Sequence, residues 1–247
     1  MKKLSVIIPV YNEEATLEEL VESVMKVDLK AIWYTKEIIL VNDWSKDKSE
    51  EIIQEKLLKK SSKECEIQYV KNPKNSWKGF SLKNWFQHAS WDVMIVQDAD
   101  LEYFPQKDYI PMLKKYEEEK ADIVYGSRTL WAKLFWNNYS TQAFKMWWLL
   151  VSFFTTLLSF TKVTDEPTCY KMYDKKLKKY LVYPKENWFE REPAITMLLL
   201  RKWFKYVEVP IHYHARSFEE WKKIKWQDGI NAILTLFKWR FKKISNI

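Results

Sequence analysis

Short apolar runs alternate with segments of helical periodicity along the first half of the chain. The apolar runs at 4–10, 37–41, 67–70, 93–96 and 122–125 predict five buried strands. Segments 14–27, 46–59, 78–89 and 111–119 predict the intervening helices, with Ser45 as the expected N-cap of the second. Strands that alternate with helices predict an α/β fold with a mostly parallel sheet and right-handed crossovers.

The second half of the chain has a different pattern. Segment 165–173 reads as extended, 193–202 as a helix and 206–213 as a strand. Segment 146–160 carries no charge, yet it is shorter than the roughly 20 residues of a transmembrane helix, so it predicts a core helix or an interfacial one. Segment 227–243 reads as a basic amphipathic helix, and the apolar residues expected to face inward are Ile230, Ile233, Leu234 and Phe237.

Two carboxylates follow the fourth predicted strand at Asp98 and Asp100. Residues two apart on an extended chain point the same way, so this pair could bind one divalent cation. Alternatively, one carboxylate binds the cation and the other a sugar or ribose hydroxyl, or the pair is a solvated acidic turn. Other predicted strands end at Glu13 and Asp43, and carboxyl ends of parallel strands are expected to converge on one crevice.

Composition narrows the class of partner. The chain has 247 residues, 47% of them hydrophobic and 30% charged, which predicts a substantial core. Its net charge of +8 favours a nucleotide, lipid phosphate, membrane surface or nucleic acid as partner, although no nucleic-acid module is recognisable. Two cysteines and an N-terminal apolar run too short for a signal peptide favour a reduced, cytoplasmic setting.

Histidine and cysteine offer only weak site candidates. His212 and His214 are spaced two apart on a predicted strand, but no third metal ligand is near in sequence, which favours packing or surface roles. Neither Cys65 nor Cys169 has a base at a recognisable spacing, so a thiol nucleophile is not expected.

Motifs spread over nearly the whole chain resemble the family 2 glycosyltransferases of the GT-A type. They are VIIPVYNEE at 6–14, VNDWS at 41–45, QDADLEY at 97–103, YGSR at 125–128, DEPTCYKM at 165–172, NWFERE at 187–192 and VEVPIHYHARSFEEWKKIKWQDG at 207–229. The set is most similar to dolichol-phosphate mannose synthases and polyprenyl-phosphate glucosyltransferases. This resemblance implies one GT-A domain, Rossmann-like with helices on both sheet faces and C-terminal amphipathic helices. Residues 1–128 would form the nucleotide-sugar half and 129–247 the acceptor and membrane-facing half.

The resemblance also implies an activity. It is the inverting transfer of a hexose from GDP-mannose or UDP-glucose to a polyprenyl or dolichyl phosphate, with Mg²⁺ or Mn²⁺, in cell envelope biogenesis. By resemblance, Asp98 and Asp100 hold the metal and the diphosphate. The nucleotide would be held by Pro9, Tyr11, Glu13, Asp43 and Ala99. The cations that would place the acceptor phosphate are Arg128, Arg216 and Lys223.

An anionic lipid phosphate needs no general base, whereas two alternative functions make different demands. A soluble family 2 transferase that extends a cell-surface polysaccharide would need a carboxylate base, for which Glu190 and Glu192 are available. An inactive relative would only bind a nucleotide or phospholipid. Under the leading interpretation the enzyme lies peripherally on the inner face of the cytoplasmic membrane, and segment 146–160 receives the lipid.

Tryptophan stands where this family has glycine. The chain has 3 glycines and 14 tryptophans, and their sum of 17 matches the roughly 17 glycines expected at this length. The substituted positions are Trp44, Trp77, Trp85, Trp91, Trp188, Trp203 and Trp221. Some bacteria read the codon UGA as glycine, so we hypothesise that many of these residues are glycine in the natural protein. The alternative is a Trp-rich protein with aromatic interface anchors; Trp226 and Trp239 fit aromatic positions on the last helices.

Overall fold

The computed structural model describes residues 1–73, 86, 91–135, 137–138, 142–186, 188–215 and 226–244. Its strands are β1 (Lys2–Val10), β2 (Tyr34–Asn42), β3 (Cys65–Lys71), β4 (Val93–Val96), β5 (Ile123–Ser127), β6 (Lys171–Asp174) and β7 (Tyr206–Pro210). They form a seven-stranded sheet in the order β3-β2-β1-β4-β6-β5-β7. The predicted α/β class is therefore confirmed.

The sheet is parallel except at one strand. β1 pairs in parallel with β2 and β4, and β5 pairs in parallel with β7, whereas β6 is antiparallel to both β4 and β5. All four residues of β4 and the run from Leu4 to Ile8 in β1 are buried, so both faces of the central strands are covered. This is why the strands read as continuous apolar runs in the sequence. The segment 165–173 was expected to be extended, and only its end forms a strand, as part of β6 (Lys171–Asp174).

Apart from a short helix at Lys178–Val182 that was not predicted, the helices follow the predicted segments with shifted ends. They are α1 (Leu17–Met25), α2 (Ser49–Ile52), α3 (Pro105–Glu119), α4 (Gln142–Ser159), α5 (Lys178–Val182), α6 (Arg191–Arg201) and α7 (Trp226–Phe241). Short 3₁₀ turns occupy Lys30–Ile32 and Lys175–Leu177, and α2 continues through a π turn at Ile53–Leu57 into a 3₁₀ turn at Leu58–Lys60. The predicted helix at 78–89 lies outside the described residues except for Phe86, which is buried.

Two predicted helix starts were wrong for local reasons. Ser45 does not cap α2, which begins at Ser49; its hydroxyl instead accepts the backbone N–H of Asn12 at 3.1 Å. α3 begins at Pro105 rather than at Pro111. Proline at the first helical position has no N–H to leave unsatisfied, whereas Pro111 is accommodated inside the helix.

A second apolar cluster joins α4, α6 and α7 beside the main core. Its buried members are Val151, Leu158, Ala194, Met197, Leu198, Leu236 and Trp239. The predicted inward face of α7 was wrong, because Ile230, Leu234 and Phe237 are exposed and Ile233 is only half-buried. Periodicity marks a helix face as apolar, but it does not tell what covers that face.

Left-handed backbone occurs at eight non-glycine residues within the part of the chain that the structure describes. Four of them are tryptophans, with φ between 52° and 67°. The eight are Asn12, Trp33, Trp44, Leu101, Lys120, Trp131, Phe160 and Trp203. A bulky residue with positive φ is strained, because its Cβ crowds the following carbonyl oxygen.

Candidate active site

The candidate site lies where the order of strands reverses. The chain runs outward from β1 to β2 and β3, and then returns to add β4 on the other side of β1. The registers place the ends of β1, β2 and β4 at one edge of the sheet. Such a reversal opens a crevice beyond the carboxyl ends of the strands, where α/β proteins bind ligands.

Hydrogen bonds tie the loops after β1 and β2 together at this edge. The Asp43 N–H donates to the carbonyl of Val10 at 2.8 Å, and the Lys46 N–H donates to Oδ1 of Asn12 at 2.8 Å. The Glu13 N–H donates to the Ser49 hydroxyl at 2.9 Å. Polar backbone groups of both turns thus support one another, so the turns that carry Glu13 and Asp43 are bonded together at one edge of the sheet; their convergence on one crevice with Asp98 and Asp100 stays a prediction.

The predicted nucleotide residues lie along this edge. Pro9, Tyr11 and Glu13 are half-buried at the end of β1, and Asp43 is 5% exposed at the end of β2. Oδ1 of Asp43 accepts a hydrogen bond from the side chain of Asn72 at 2.8 Å. Asn72 was not predicted as a site residue. It directly follows β3, beside the other strand ends, and this position in the sequence could have indicated its role.

Asp98 and Asp100 lie in the turn after β4 with partly exposed side chains, while Ala99 between them is buried. The N–H of Asp98 donates to the sulfur of Cys169 at 3.1 Å. Oδ1 of Asp100 accepts the N–H of Glu102 at 3.2 Å across the left-handed residue Leu101, whose φ is 60°. Both carboxylates therefore emerge from a tightly bonded turn at the rim of the crevice.

This pair fits a divalent cation that is shared with a phosphate ligand. Carboxylate oxygens suit Mg²⁺ and Mn²⁺, and Mg²⁺ in particular is usually bound by one or two carboxylates together with substrate phosphates and water. Across the ranges that the structure describes, no three His, Cys, Asp or Glu side chains cluster as a metal site.

Arg128 lies at the end of β5 and is buried. Its Nε and Nη2 donate to Oδ2 and Oδ1 of Asp165, both at 2.8 Å, and its guanidinium lies 3.8 Å from the ring centre of Trp148. Burial acts to lower the pKa of Arg128, and the charge of Asp165 outweighs it and raises the pKa well above its usual value. Arg216 and Lys223, the other two predicted cations, lie outside the described residues.

A buried cation that was not predicted lies on β6. Nζ of Lys171 is 2.9 Å from Glu192 and 3.3 Å from Glu166, and Glu166 also accepts the hydroxyl of Thr196 at 3.0 Å. Burial acts to lower the pKa of Lys171, but the two carboxylates outweigh it and raise the pKa. Glu192, a candidate base for a sugar acceptor, is therefore held in an ion pair.

His212 and His214, which follow β7, have packing partners. The ring of His212 stacks on Phe135 with centroids 4.2 Å apart, and its Nδ1 is 2.7 Å from Oδ1 of Asp108. The ring of His214 packs edge-on against Phe104 at 5.2 Å. The expectation of packing roles is consistent with these contacts.

Comparison with known protein families identifies the family of this chain. The model of glycosyl transferase family 2 matches residues 5–181, which include the strand ends, both aspartates and Arg128. The chain belongs to glycosyl transferase family 2. The predicted resemblance and GT-A fold class are confirmed.

Two curated relatives of this family 2 chain act on polyprenyl phosphates, as their names state. An undecaprenyl-phosphate 4-deoxy-4-formamido-L-arabinose transferase of Pectobacterium atrosepticum is 39% identical over 124 residues, which cover 50% of this chain and 36% of that protein. A dolichol-phosphate mannosyltransferase of Pyrococcus furiosus is 35% identical over 126 residues, which cover 51% of this chain and 33% of that protein. The chain thus spans about a third of the length of these relatives.

Solved structures share the fold of this family 2 chain at low sequence identity. Glucosyl-3-phosphoglycerate synthase of Mycobacterium tuberculosis in complex with UDP gives a TM-score of 0.68 at 15% identity and covers 99% of this chain and 82% of its own. The mannosyltransferase PcManGT of Pyrobaculum calidifontis, in complex with GDP-Man and Mn²⁺, gives a TM-score of 0.60 at 12% identity. The match covers 89% of this chain and 58% of the chain in that structure.

Apolar side chains are exposed along α4 and α7 of this family 2 chain. On α4 and just after it they are Met146, Leu149, Leu150, Phe153, Leu157 and Phe160. On α7 they are Ile230, Leu234, Phe237 and Phe241. We call these ten side chains the apolar face. Among the helices described, none has both the length and the apolar character needed to cross a membrane.

Proposed function

We propose that this family 2 chain transfers a hexose from a nucleotide sugar to a polyprenyl phosphate with inversion at the anomeric carbon. The observation that carries the proposal is the placement of Asp98 and Asp100 at the strand reversal, at the same edge of the sheet as the bonded loops after β1 and β2. The names of the curated relatives support the acceptor class, and those of the solved neighbours support a nucleotide-sugar donor.

In this proposal the two sides of the crevice bind different parts of the donor. The β1 and β2 loops, with Asp43 positioned by Asn72, bind the nucleoside, and Asp98 and Asp100 face the diphosphate. Asp98 and Asp100 would hold Mg²⁺ or Mn²⁺, which when bound would supply Lewis-acid stabilisation of the charge that develops on the leaving diphosphate. GDP-mannose and UDP-glucose are the proposed donors.

The acceptor phosphate is itself the nucleophile in this proposal. A phosphate oxygen attacks the anomeric carbon from the side opposite the diphosphate, the new C–O bond forms as the old one breaks, and the nucleoside diphosphate leaves. No proton has to be removed, because a lipid phosphate is already anionic at neutral pH. The ion pairing of Glu192 with Lys171 agrees with a site in which this carboxylate is not the base.

Cations are expected to place the acceptor. Arg128, Arg216 and Lys223 remain the proposed set, and an acceptor phosphate that reaches Arg128 would share that guanidinium with Asp165. Asp165 was not predicted to have this role, although it opens the motif that follows segment 146–160. Arg128 and Asp165 are 37 positions apart, and no local pattern in this sequence links them.

The apolar face is the proposed membrane contact on the inner side of the cytoplasmic membrane. A polyprenyl tail stays in the bilayer, so the enzyme has to approach the bilayer surface. Arg240 lies 4.9 Å from the ring centre of Phe160, which brings a cation to the end of this face. Basic residues near a membrane surface each add about 1 kcal/mol of attraction to anionic headgroups.

A transfer assay tests the acceptor class. The protein is incubated with Mn²⁺, labelled GDP-mannose or UDP-glucose, and either a polyprenyl phosphate or a soluble oligosaccharide. We expect label in the organic phase with the lipid acceptor alone. Label in the oligosaccharide would favour the polysaccharide transferase, and nucleotide binding without transfer to either acceptor would favour an inactive relative.

A further inference from the structure

A buried amide lies directly behind the two aspartates. Gln97, which is fully buried, precedes Asp98 and extends β4, because its N–H donates to the carbonyl of Ile7 at 2.9 Å. Its Oε1 accepts the hydroxyls of Tyr109 and Tyr170, both at 2.8 Å. An amide oxygen has two lone pairs, and both are used here.

The nitrogen of the Gln97 amide reaches the turn that carries Asp98 and Asp100. Its Nε2 donates to the carbonyl oxygen of Asp98 at 2.9 Å, while the N–H of Asp98 is bonded to the sulfur of Cys169. Both peptide groups of Asp98 are therefore fixed from the protein interior. Backbone that is fixed in this way leaves the Asp98 carboxylate as the part that faces the crevice.

Both tyrosine hydroxyls can serve as donors to Gln97. Burial raises the pKa of Tyr109 and Tyr170 well above the usual value, so both hydroxyls keep their protons. Their rings pack together with centroids 5.5 Å apart, and Tyr170 also packs against Tyr103 at 4.6 Å. Packed rings lose little conformational freedom when their hydroxyls bond, so the amide is held in one orientation.

We propose that Gln97, held by Tyr109 and Tyr170, is a positioning residue that sets the geometry of the Asp98–Asp100 cation site. The role rests on the proposed function only in taking these two aspartates as cation ligands. Groups that orient metal ligands from behind typically change metal affinity or activity 10- to 100-fold when they are removed.

The test replaces the two donors and keeps their rings. The double variant Tyr109→Phe with Tyr170→Phe leaves Oε1 of Gln97 without its two hydroxyl donors. Tyr116→Phe is the matched control, because it removes a buried hydroxyl from the same helix that bonds to Asp174 instead. Electron paramagnetic resonance measures Mn²⁺ binding in the presence of UDP or GDP, and thermal unfolding checks the fold.

We expect the double variant to bind Mn²⁺ about 10-fold more weakly or worse, and Tyr116→Phe to bind as the wild type does. Equal Mn²⁺ binding in a folded double variant would overturn the positioning role. If the double variant unfolds, the single variant Tyr170→Phe decides in the same way. A wild type that binds no Mn²⁺ with either nucleotide would overturn the cation site and the positioning role together. Weakened binding without any sugar transfer by the wild type would support the positioning role and contradict the proposed function.

A second observation concerns the left-handed tryptophans, which are Trp33, Trp44, Trp131 and Trp203. They are four of the ten tryptophans whose backbone the structure describes, and their exposed fractions run from 44% to 80%. Trp33 caps a 3₁₀ turn, and Trp203 follows the C-cap of α6, a position where helices favour glycine. An exposed indole gains little there and carries the strain of positive φ.

Other tryptophans have the environments that tryptophan favours. Trp239 is fully buried, and its indole N–H donates to Glu186 at 2.9 Å. Trp148 stacks on Arg128, and the indole of Trp188 donates to Asp228 at 3.1 Å. Trp91 differs, since it is buried while its indole N–H finds no hydrogen-bond partner among the residues described. Backbone conformation, rather than bonding, thus separates the two kinds of tryptophan position, since the ring centre of Trp44 also lies 5.5 Å from Nζ of Lys71 and Trp131 packs on Phe135.

We infer that the left-handed tryptophans are glycine in the natural protein, read from a reassigned UGA codon. Glycine adopts positive φ without strain, which explains why half of the left-handed non-glycine positions fall on so rare a residue. At position 44 the change would also remove an indole from directly beside Asp43, at the nucleoside end of the crevice.

Peptide mass spectrometry of the protein purified from its own organism tests this inference. We expect glycine at all four positions and tryptophan at 239, and intact tryptophan at the four positions would overturn the inference. A recombinant comparison adds a physical readout. Changing the left-handed tryptophans to glycine should raise the midpoint of thermal unfolding by about 2 °C or more, whereas Trp239→Gly should lower it. A lower midpoint for the fourfold variant would also contradict the inference.

Discussion

Arg128 and Asp165 form a bidentate ion pair in which the Asp165 carboxylate also accepts the backbone N–H of Arg128 at 2.8 Å. Both side chains are almost fully buried. The pair joins the end of β5 to the segment between α4 and β6. It therefore fixes that segment relative to the sheet.

Removing one member of this pair is predicted to cost more than removing both. Arg128→Ala leaves the Asp165 carboxylate buried without its partner, which typically costs roughly 3–5 kcal/mol. The double variant Arg128→Ala with Asp165→Ala should recover part of that loss. Urea unfolding of the two single variants and the double variant measures the coupling, and strictly additive losses would contradict a stabilising pair.

A conservative substitution of Arg128 should affect use of the acceptor rather than of the donor. If Arg128 places the lipid phosphate, Arg128→Lys keeps a charge but loses the bidentate geometry, so KM for polyprenyl phosphate should rise several-fold. KM for the nucleotide sugar is the internal control. A rise confined to the donor KM would place Arg128 on the nucleotide side.

Membrane binding should depend on the apolar face. Phe153 and Leu157 are 59% and 52% exposed, so Phe153→Asp with Leu157→Asp leaves the core intact and should weaken sedimentation with anionic vesicles about tenfold or more. Half-buried Phe154 is a poorer choice, because its ring packs on Phe237 at 5.8 Å. Added salt should weaken wild-type binding as well.

Trp33→Asp is the matched control for this prediction. Trp33 is 77% exposed but precedes β2 at the opposite edge of the sheet, and aspartate tolerates its left-handed backbone. We expect this variant to bind vesicles as the wild type does. Unchanged binding by the folded Phe153/Leu157 variant would show that the apolar face is not the membrane contact.

Asp108 predicts a pH dependence of stability. Burial raises the pKa of Asp108 to about 6, and its hydrogen bonds from His212 and the charge of Lys107 only partly offset this. The folded state therefore holds this proton more tightly than the unfolded chain, whose value is about 3.9. Stability contributed by the protonated form is lost as pH rises through 6, by an amount on the order of 2 kcal/mol.

Asp108→Asn removes this titration, so its free energy of unfolding should change less between pH 4 and pH 7, the range that spans the unfolded and folded pKa values, than that of the wild type. Asp92→Asn is the control, because the hydrogen bond from Lys175 lowers the pKa of Asp92 and places its titration below this window. Denaturant titrations at the two pH values make the comparison. Identical pH dependence in Asp108→Asn and wild type would contradict the raised pKa of Asp108.

The sequence predicted the sheet well because its central strands are buried on both faces and read as apolar runs, as in β4. It also placed Asp98 and Asp43 at one edge, since parallel strands end together. It did not predict the partner of Arg128, because Asp165 is 37 residues away and no local pattern links them. Gln97 was missed for the same reason: its tyrosine donors come from α3 and from the segment before β6.

The facing of α7 was mispredicted for a different reason. Its apolar positions were recognised, but Leu234 and Phe237 face outward while Leu236 and Trp239 pack inward. Helical periodicity reports where apolar residues lie around the axis and says nothing about which neighbour covers them. α7 therefore has apolar residues on two sides, of which one packs in the protein interior and the other is exposed.

The most direct test of the central claim is transfer of labelled hexose into polyprenyl phosphate by the Asp98→Ala and Asp100→Ala variants. At saturating Mn²⁺ we predict that each loses at least about 100-fold in kcat, because charge on the leaving diphosphate is no longer stabilised. Asp92→Ala is the matched control, since it removes a carboxylate from the other end of β4 and should keep near-normal turnover. Near-normal turnover in both Asp98→Ala and Asp100→Ala would contradict the account.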